Sequence, residues 1–344
     1  MTTYKNRLIW PDLIRIIAVF LVIMVHSSSK IVTSWLNASP SDWMIANIYD
    51  SISRVSVPLF VMLSGALLLN RKEDLFVFLK KRIKRIFLPW LFWGTVLLVF
   101  TKYIGFSNIF ETMKYDFSNI KLVITENFIG GFWFMPMLVG IYLTTPIIKK
   151  FLIKSTDTEI KYFFAIWLTI SSIIPFANKM FDLSISFINP SWFLYLGYYI
   201  GGYYLVYKIK DFKKSITKLK VLFLVSFLIT VLGTYQQSLM NDIFTNTFYD
   251  YLSISVVAMS FTLFSILFYY FRNIKLNKKI SSIIYHFSQN SFGILLCHTM
   301  ILEFFSAGNY PIISIPISVI LTFLVSNSII GILKGIKIVK NLVG

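Results

Sequence analysis

Apolar stretches bounded by polar or charged residues recur along the chain at about 11–30, 45–69, 86–104, 128–147, 161–177, 191–207, 221–238, 251–271, 284–305 and 312–333. Each approaches the roughly 20 residues a helix needs to cross the hydrocarbon core of a bilayer. The pattern predicts an all-α integral membrane protein with about ten transmembrane helices. Composition agrees: 56% of the 344 residues are hydrophobic and 14% charged, whereas about a quarter of a soluble chain is charged. Cys297 is the only cysteine, which excludes a disulfide-stapled secreted fold. No Gly/Ser-rich or Pro-rich linker, low-complexity tract or fixed-period repeat interrupts the pattern. A single multi-pass domain over 1–344, without a separate soluble domain, is the simplest reading.

The formal charge of +18 would suit nucleic acid, but its distribution points elsewhere. With the N-terminus on the cytoplasmic side, cytoplasmic segments hold 25 of the 33 Lys and Arg. The outer loops hold Lys30, Lys102, Lys114, Lys121 and Lys179, and Arg15, Arg54 and Lys161 fall within spans. This asymmetry predicts N-in and C-in topology by the positive-inside rule, and removes the case for nucleic acid. The first apolar stretch has no small-residue cleavage site and carries an internal Arg, so it is expected to stay as a helix.

Ionisable residues inside the spans carry the chemistry, because each is costly in lipid unless it faces a partner or a polar cavity. The first stretch has Asp12, Arg15 and His26. Asp12 and Arg15, three apart, share a helix face. Arg15 and His26, eleven apart, fall on nearly the same stripe about 16 Å apart along the axis. Two readings stand. In one, Asp12–Arg15 is an interfacial ion pair and His26 hydrogen-bonds a neighbouring helix. In the other, the stripe lines a water-filled slot and His26 is a general base.

Further along, Arg54 lies too deep to snorkel easily, and Pro58 after it can kink its helix. Ser64-Gly65 permits the close approach of a helix or a ligand. The run Lys80 to Arg85 anchors a helix on the basic side, and Arg82 and Arg85, three apart, suit a polyphosphate. Trp133 is either an interfacial belt residue or a wall of an acceptor site, and His298 and Glu303 are late cavity candidates. There is no Walker A sequence, no metal-ligand spacing, no Gly-x-Ser-x-Gly elbow and no Rossmann fingerprint.

Together these residues resemble the membrane-bound acyltransferase family 3, especially its surface-polysaccharide O-acetyltransferase branch. Asp12 to Ala18 leading to His26 resembles the family's Arg/Lys, ten residues, His signature. Arg54 through Val57-Pro58-Leu59-Phe60 to Ser64-Gly65 resembles the second-helix motif. Arg82-x-x-Arg85-Ile86 ending in Pro89 resembles the donor-handling element. Trp133-Phe134 with Tyr142 and Pro146, and Ser291-Phe292-Gly293 to His298, resemble the fourth-span and late motifs.

The resemblance implies a multi-pass enzyme of the cell (plasma or inner) membrane. It would move an acetyl or other short acyl group from acyl-CoA to a hydroxyl of a cell-surface polysaccharide or its lipid-linked precursor. Acetyl-CoA would be a co-substrate, with no tightly bound cofactor and no metal. The expected catalytic residues are His26, Arg15 and Asp12, and the expected donor-binding residues are Arg82 and Arg85. Arg54, Ser64, Trp133, His298 and Glu303 are the cavity and acceptor candidates. The expected partners are the acyl-CoA donor, the glycan or lipid-linked glycan and the bilayer; no oligomeric state can be read. A transporter or flippase for a lipid-linked glycan would use the same polar stripe as a path, and a structural membrane subunit would tolerate loss of both His26 and Arg82.

Overall fold

The first helix, α1 (Trp10–Thr33), starts with Pro11 and Asp12 in its first turn and packs against five later helices, so it lies at the centre of the bundle. The computed structural model describes residues 8–104, 132–181, 183–185, 191–209 and 211–344. Lys114, Lys121 and the first residues of the 128–147 stretch lie outside them.

The turn after α1 is written into the sequence. Ser39 accepts a hydrogen bond from the Asp42 backbone N–H, and Pro40 takes the first position of α2 (Pro40–Ser53). Trp43 Nε1 donates to the Val32 carbonyl at 2.8 Å, pinning α2 to α1 from a fully buried position. α2 breaks at Arg54-Val55 and resumes as α3 (Ser56–Leu68). Pro58 is the local cause: it has no N–H for the Arg54 carbonyl one turn back.

α4 (Leu75–Arg82) is capped by the Asp74 side chain and runs through a π-helical turn, Ile83–Phe87, into α5 (Leu88–Ile104). Pro89 lies just beyond that turn and cannot donate back into it. The remaining helices are α6 (Phe134–Lys154), α7 (Asp157–Leu168), α8 (Ile174–Phe181), α9 (Ser191–Leu194), α10 (Leu196–Tyr207), α11 (Ile216–Asn241), α12 (Ile254–Phe271), α13 (Lys278–Leu302) and α14 (Pro311–Gly335). No strand occurs among the described residues.

Every apolar stretch of the sequence thus carries a helix, and among the described residues seven helical runs are long and apolar enough to cross a membrane: α1, α2–α3, α6, α7–α8, Lys213–Asn241, α12 and α14. The other three stretches depart from the simple pattern for visible reasons. α5 has 17 residues. α10 has 12 residues, which at 1.5 Å each is about 18 Å. α13 has 25 residues but buries Ser288, Asn290, Ser291 and His298, which lowers its hydropathy.

The apolar surface is turned outward, as lipid requires. On α11, Val221, Leu222, Leu224, Val225, Leu228, Ile229 and Leu232 are all exposed. Inside, α3 and α10 pack backbone to backbone. A Cβ on Gly65 would lie 1.7 Å from the Tyr199 carbonyl oxygen, and one on Gly202 would lie 1.8 Å from that of Met62. Ser64-Gly65 therefore serves helix packing on its glycine side.

Candidate functional site

α1 and α13 run side by side in the same direction, and polar contacts join them at three depths. Near the basic end, Arg15 Nη1 donates to Ser288 Oγ at 2.7 Å and Ser288 Oγ donates to Asp12 Oδ1 at 2.6 Å, while Arg15 and Asp12 pair at 3.3 Å. Deeper in the bundle, the rings of His26 and His298 lie 5.0 Å apart, tilted by 55°. At the far end, Lys30 Nζ donates to both carboxylate oxygens of Glu303, at 2.9 and 3.0 Å. A parallel pair is what an odd number of crossings between two spans produces.

The middle level opens into a site. His26 is exposed, although it lies deep on α1 beside α13. Arg54, at the break between α2 and α3, is close enough to act on it electrostatically. Both Nε and Nη2 of Arg54 lie 2.5 Å from Asp50 Oδ1. Asp50 is fully buried and also accepts from Ser28 Oγ at 3.1 Å, which ties α2 to α1 two residues beyond His26. The Arg54 guanidinium lies 4.3 Å over the Tyr249 ring and 5.9 Å from that of Tyr251. Tyr249 is held in turn by its hydroxyl, which donates to Asn47 Oδ1 at 2.5 Å.

Aromatic rings carry this wall outward. Trp133, 41% exposed, lies 5.7 Å from the Tyr251 ring and 6.0 Å from that of Tyr195. The Tyr198 hydroxyl donates to the Tyr251 carbonyl at 2.5 Å, fixing the turn that brings Tyr251 in.

A second polar level lies toward the basic end. Tyr142 of α6 donates to Ser64 Oγ of α3 at 3.4 Å, and the Thr145 and Tyr199 hydroxyls are 2.9 Å apart. Arg82 is near enough to Tyr142 and Tyr199 to interact with both, and lies 5.4 Å over the Phe78 ring. Its Nε is buried with no hydrogen-bond partner, a donor aimed into the protein without an acceptor. Arg71 and Arg85 are its cationic neighbours, and Arg85 also neighbours Lys334. Beside the capping Asp74, this rim carries Glu73, which pairs with Lys81 and has its carboxyl held below the usual range. The result is a concentration of guanidinium groups at one mouth of the bundle.

The sequence-predicted residues therefore separate into groups. His26, Arg54 and His298 come together, and Trp133 joins them through Tyr251. Ser64 lies with Arg82 at the second level, joined through Tyr142, while Arg85 is exposed at the rim. Asp12 and Arg15 close on Ser288, about 16 Å along α1 from His26. Glu303 pairs with Lys30.

Sequence reasoning passed over Asp50, Ser28, Tyr249 and Tyr251. Asp50 had a usable signal, being an acid within an apolar stretch four residues before Arg54. The tyrosines had none beyond the ordinary aromatic enrichment at a membrane boundary.

An imidazole and a guanidinium thus come together within the helical bundle, and a cluster of cationic side chains lies toward its basic end. Comparison with protein families carries this further: the acyltransferase domain of family 3 matches residues 8–333. The chain belongs to that family and is a multi-pass membrane acyltransferase. No curated protein and no solved structure matches it.

Proposed function

We propose that this acyltransferase moves an acetyl group, or another short acyl group, from acyl-CoA to a hydroxyl of a cell-surface polysaccharide or its lipid-linked precursor. In this reading the chain crosses the plasma membrane about ten times as a single domain, with both ends in the cytoplasm, where most of its Lys and Arg would lie. The observation that carries the reading is the pairing of an open His26–Arg54 site with a separate cationic mouth at Arg82. A thioester on a long phosphorylated arm suits two such groups at different depths.

Arg82, Arg85 and Arg71 would hold the donor's phosphates, with Lys334 adding charge. The acyl thioester would reach His26 through the bundle. His26 takes the proton of the acceptor hydroxyl, the hydroxyl oxygen bonds to the acyl carbon, and Arg54 stabilises the oxyanion that forms. The C–S bond then breaks, and the departing thiolate takes the proton back from His26. The products are the ester and free coenzyme A. Trp133, Tyr251 and Tyr195 form the wall beside Arg54 against which an acceptor ring would lie. Asp12, Arg15 and Ser288 join α1 to α13 and keep His26 at its depth.

The test is release of free coenzyme A thiol from acetyl-CoA by the purified protein in nanodiscs supplied with lipid-linked glycan. Release that depends on the glycan and is abolished in a folded His26→Ala variant supports the reading. Unchanged acetyl-CoA under conditions where the protein transports the glycan would overturn it. The double variant Arg82→Gln/Arg85→Gln is expected to raise the apparent KM for acetyl-CoA.

A further inference from the structure

His298 of α13 sits beside His26 of α1, and its hydrogen bonding is unusual. The residue is 3% exposed. Nδ1 lies 2.9 Å from the Leu295 carbonyl oxygen one turn back on α13. A carbonyl only accepts, so Nδ1 carries the proton, and in the neutral ring Nε2 is then a bare acceptor. That Nε2 is buried and has no hydrogen-bond partner. An acceptor left in this state costs about 1–3 kcal/mol, so its persistence needs a reason.

The neighbouring ring supplies one. A centroid separation of 5.0 Å is close to that of two imidazoles joined by an N–H···N bond of about 2.9 Å. Two rings sharing an N–H···N bond are free to twist about its axis, so the 55° tilt is compatible with such a contact, and catalytic hydrogen bonds often tighten only when substrate binds.

We propose that His298 is the positioning residue for His26. With Nδ1–H anchored on the Leu295 carbonyl, its Nε2 accepts the N–H of His26, holds His26 in a single tautomer, and leaves the other His26 nitrogen bare to take the acceptor's proton. The chain carbonyl, His298, His26, hydroxyl then has one donor and one acceptor at each joint. It follows the logic by which a fixed acceptor orients a catalytic imidazole, with a neutral ring in place of a carboxylate. Lys30–Glu303 and Asp12–Arg15–Ser288, above and below, hold the two helices in the register this contact needs.

The inference rests on the proposed role of His26, and two readouts separate their fates. The first is turnover. His298→Leu removes the acceptor and is expected to lower kcat about 100-fold while KM for acetyl-CoA is unchanged. His298→Gln, whose Oε1 falls near the position of Nε2 and can only accept, is expected to recover most of that loss. Equal activity of the two variants, or a change confined to KM, would overturn the positioning role; loss of activity in His26→Ala alone would leave the function intact.

The second readout needs no activity. The chain has three histidines, so 15N-histidine labelling of the full protein in nanodiscs gives a ring-nitrogen spectrum that single variants assign. The expectation is His298 protonated on Nδ1 and bare on Nε2, with His26 a single tautomer in the wild type and a mixture in His298→Leu. A proton on His298 Nε2, or a His26 spectrum indifferent to His298→Leu, would overturn the proposal even if acyl transfer is established. The expected spectrum would sustain it even if the acyl donor proves to be something else.

Discussion

Asp12–Arg15 on α1 and Asp50–Arg54 at the end of α2 are both aspartate–arginine pairs within one helical turn, on helices that pack together, yet their surroundings give them different work. The first pair closes into a triangle with Ser288, each member bonded to the other two, and spans the α1–α13 seam. The second has one carboxylate oxygen engaging two guanidinium nitrogens, the other taken by Ser28, and the guanidinium lying against two tyrosine rings beside His26. A guanidinium has five N–H donors, more than one carboxylate oxygen engages. The lesson is that a buried ion pair is defined by its third partner. A hydroxyl that completes the pair makes a clip, and aromatic faces beside an open space leave a cation available to substrate.

This contrast can be tested by removing each pair in turn. The largest effect is expected from Asp50→Ala, which strands the Arg54 charge in a buried position. Losing one partner of such a pair costs about 3–5 kcal/mol, visible as a large drop in Tm in nanodiscs together with loss of coenzyme A release. Asp50→Leu combined with Arg54→Met is expected to return Tm toward wild type while release stays abolished. A double variant that still turns over would remove Arg54 from the chemistry.

A smaller effect is expected at the other pair. Ser288→Ala leaves donor and acceptor groups of Asp12 and Arg15 less well satisfied, at about 1–3 kcal/mol, with turnover per folded molecule unchanged. If Arg15→Met instead abolishes turnover at unchanged Tm, the two pairs are alike after all and Arg15 regains the catalytic place its sequence position suggests. Smallest is Lys30→Gln: the Lys30–Glu303 pair is partly exposed, and such pairs contribute about 0.2–1 kcal/mol, so Tm should move little. A large shift would mark it as a third clip on the α1–α13 seam.

Most of the fold was legible, because in lipid the apolar run is itself the structural signal. Among the described residues each of the ten stretches carries a helix, and the Ser39-Pro40-x-Asp42 start and the Pro58 break appear where the residues place them. The site was legible only in part. His26, Arg54, Arg82 and His298 stand out as ionisable residues in or beside apolar stretches, a criterion that also fits Asp50, which was passed over. Tyr249 and Tyr251 precede α12 in a turn whose inward path depends on hydrogen bonds to Asn47 and Tyr198, residues 202 and 53 positions away.

Chain order alone therefore determined which segments are helical, which ends are basic and which side chains are too polar for lipid, since these follow from local composition against a bilayer's thickness. Tertiary packing decided which of those side chains meet. Asp12 and Ser288 are separated by 276 residues, and no local pattern records that α1 and α13 run parallel. His26 faces His298, and Arg15 meets Ser288, because that packing sets the register of two helices whose own sequences would permit several.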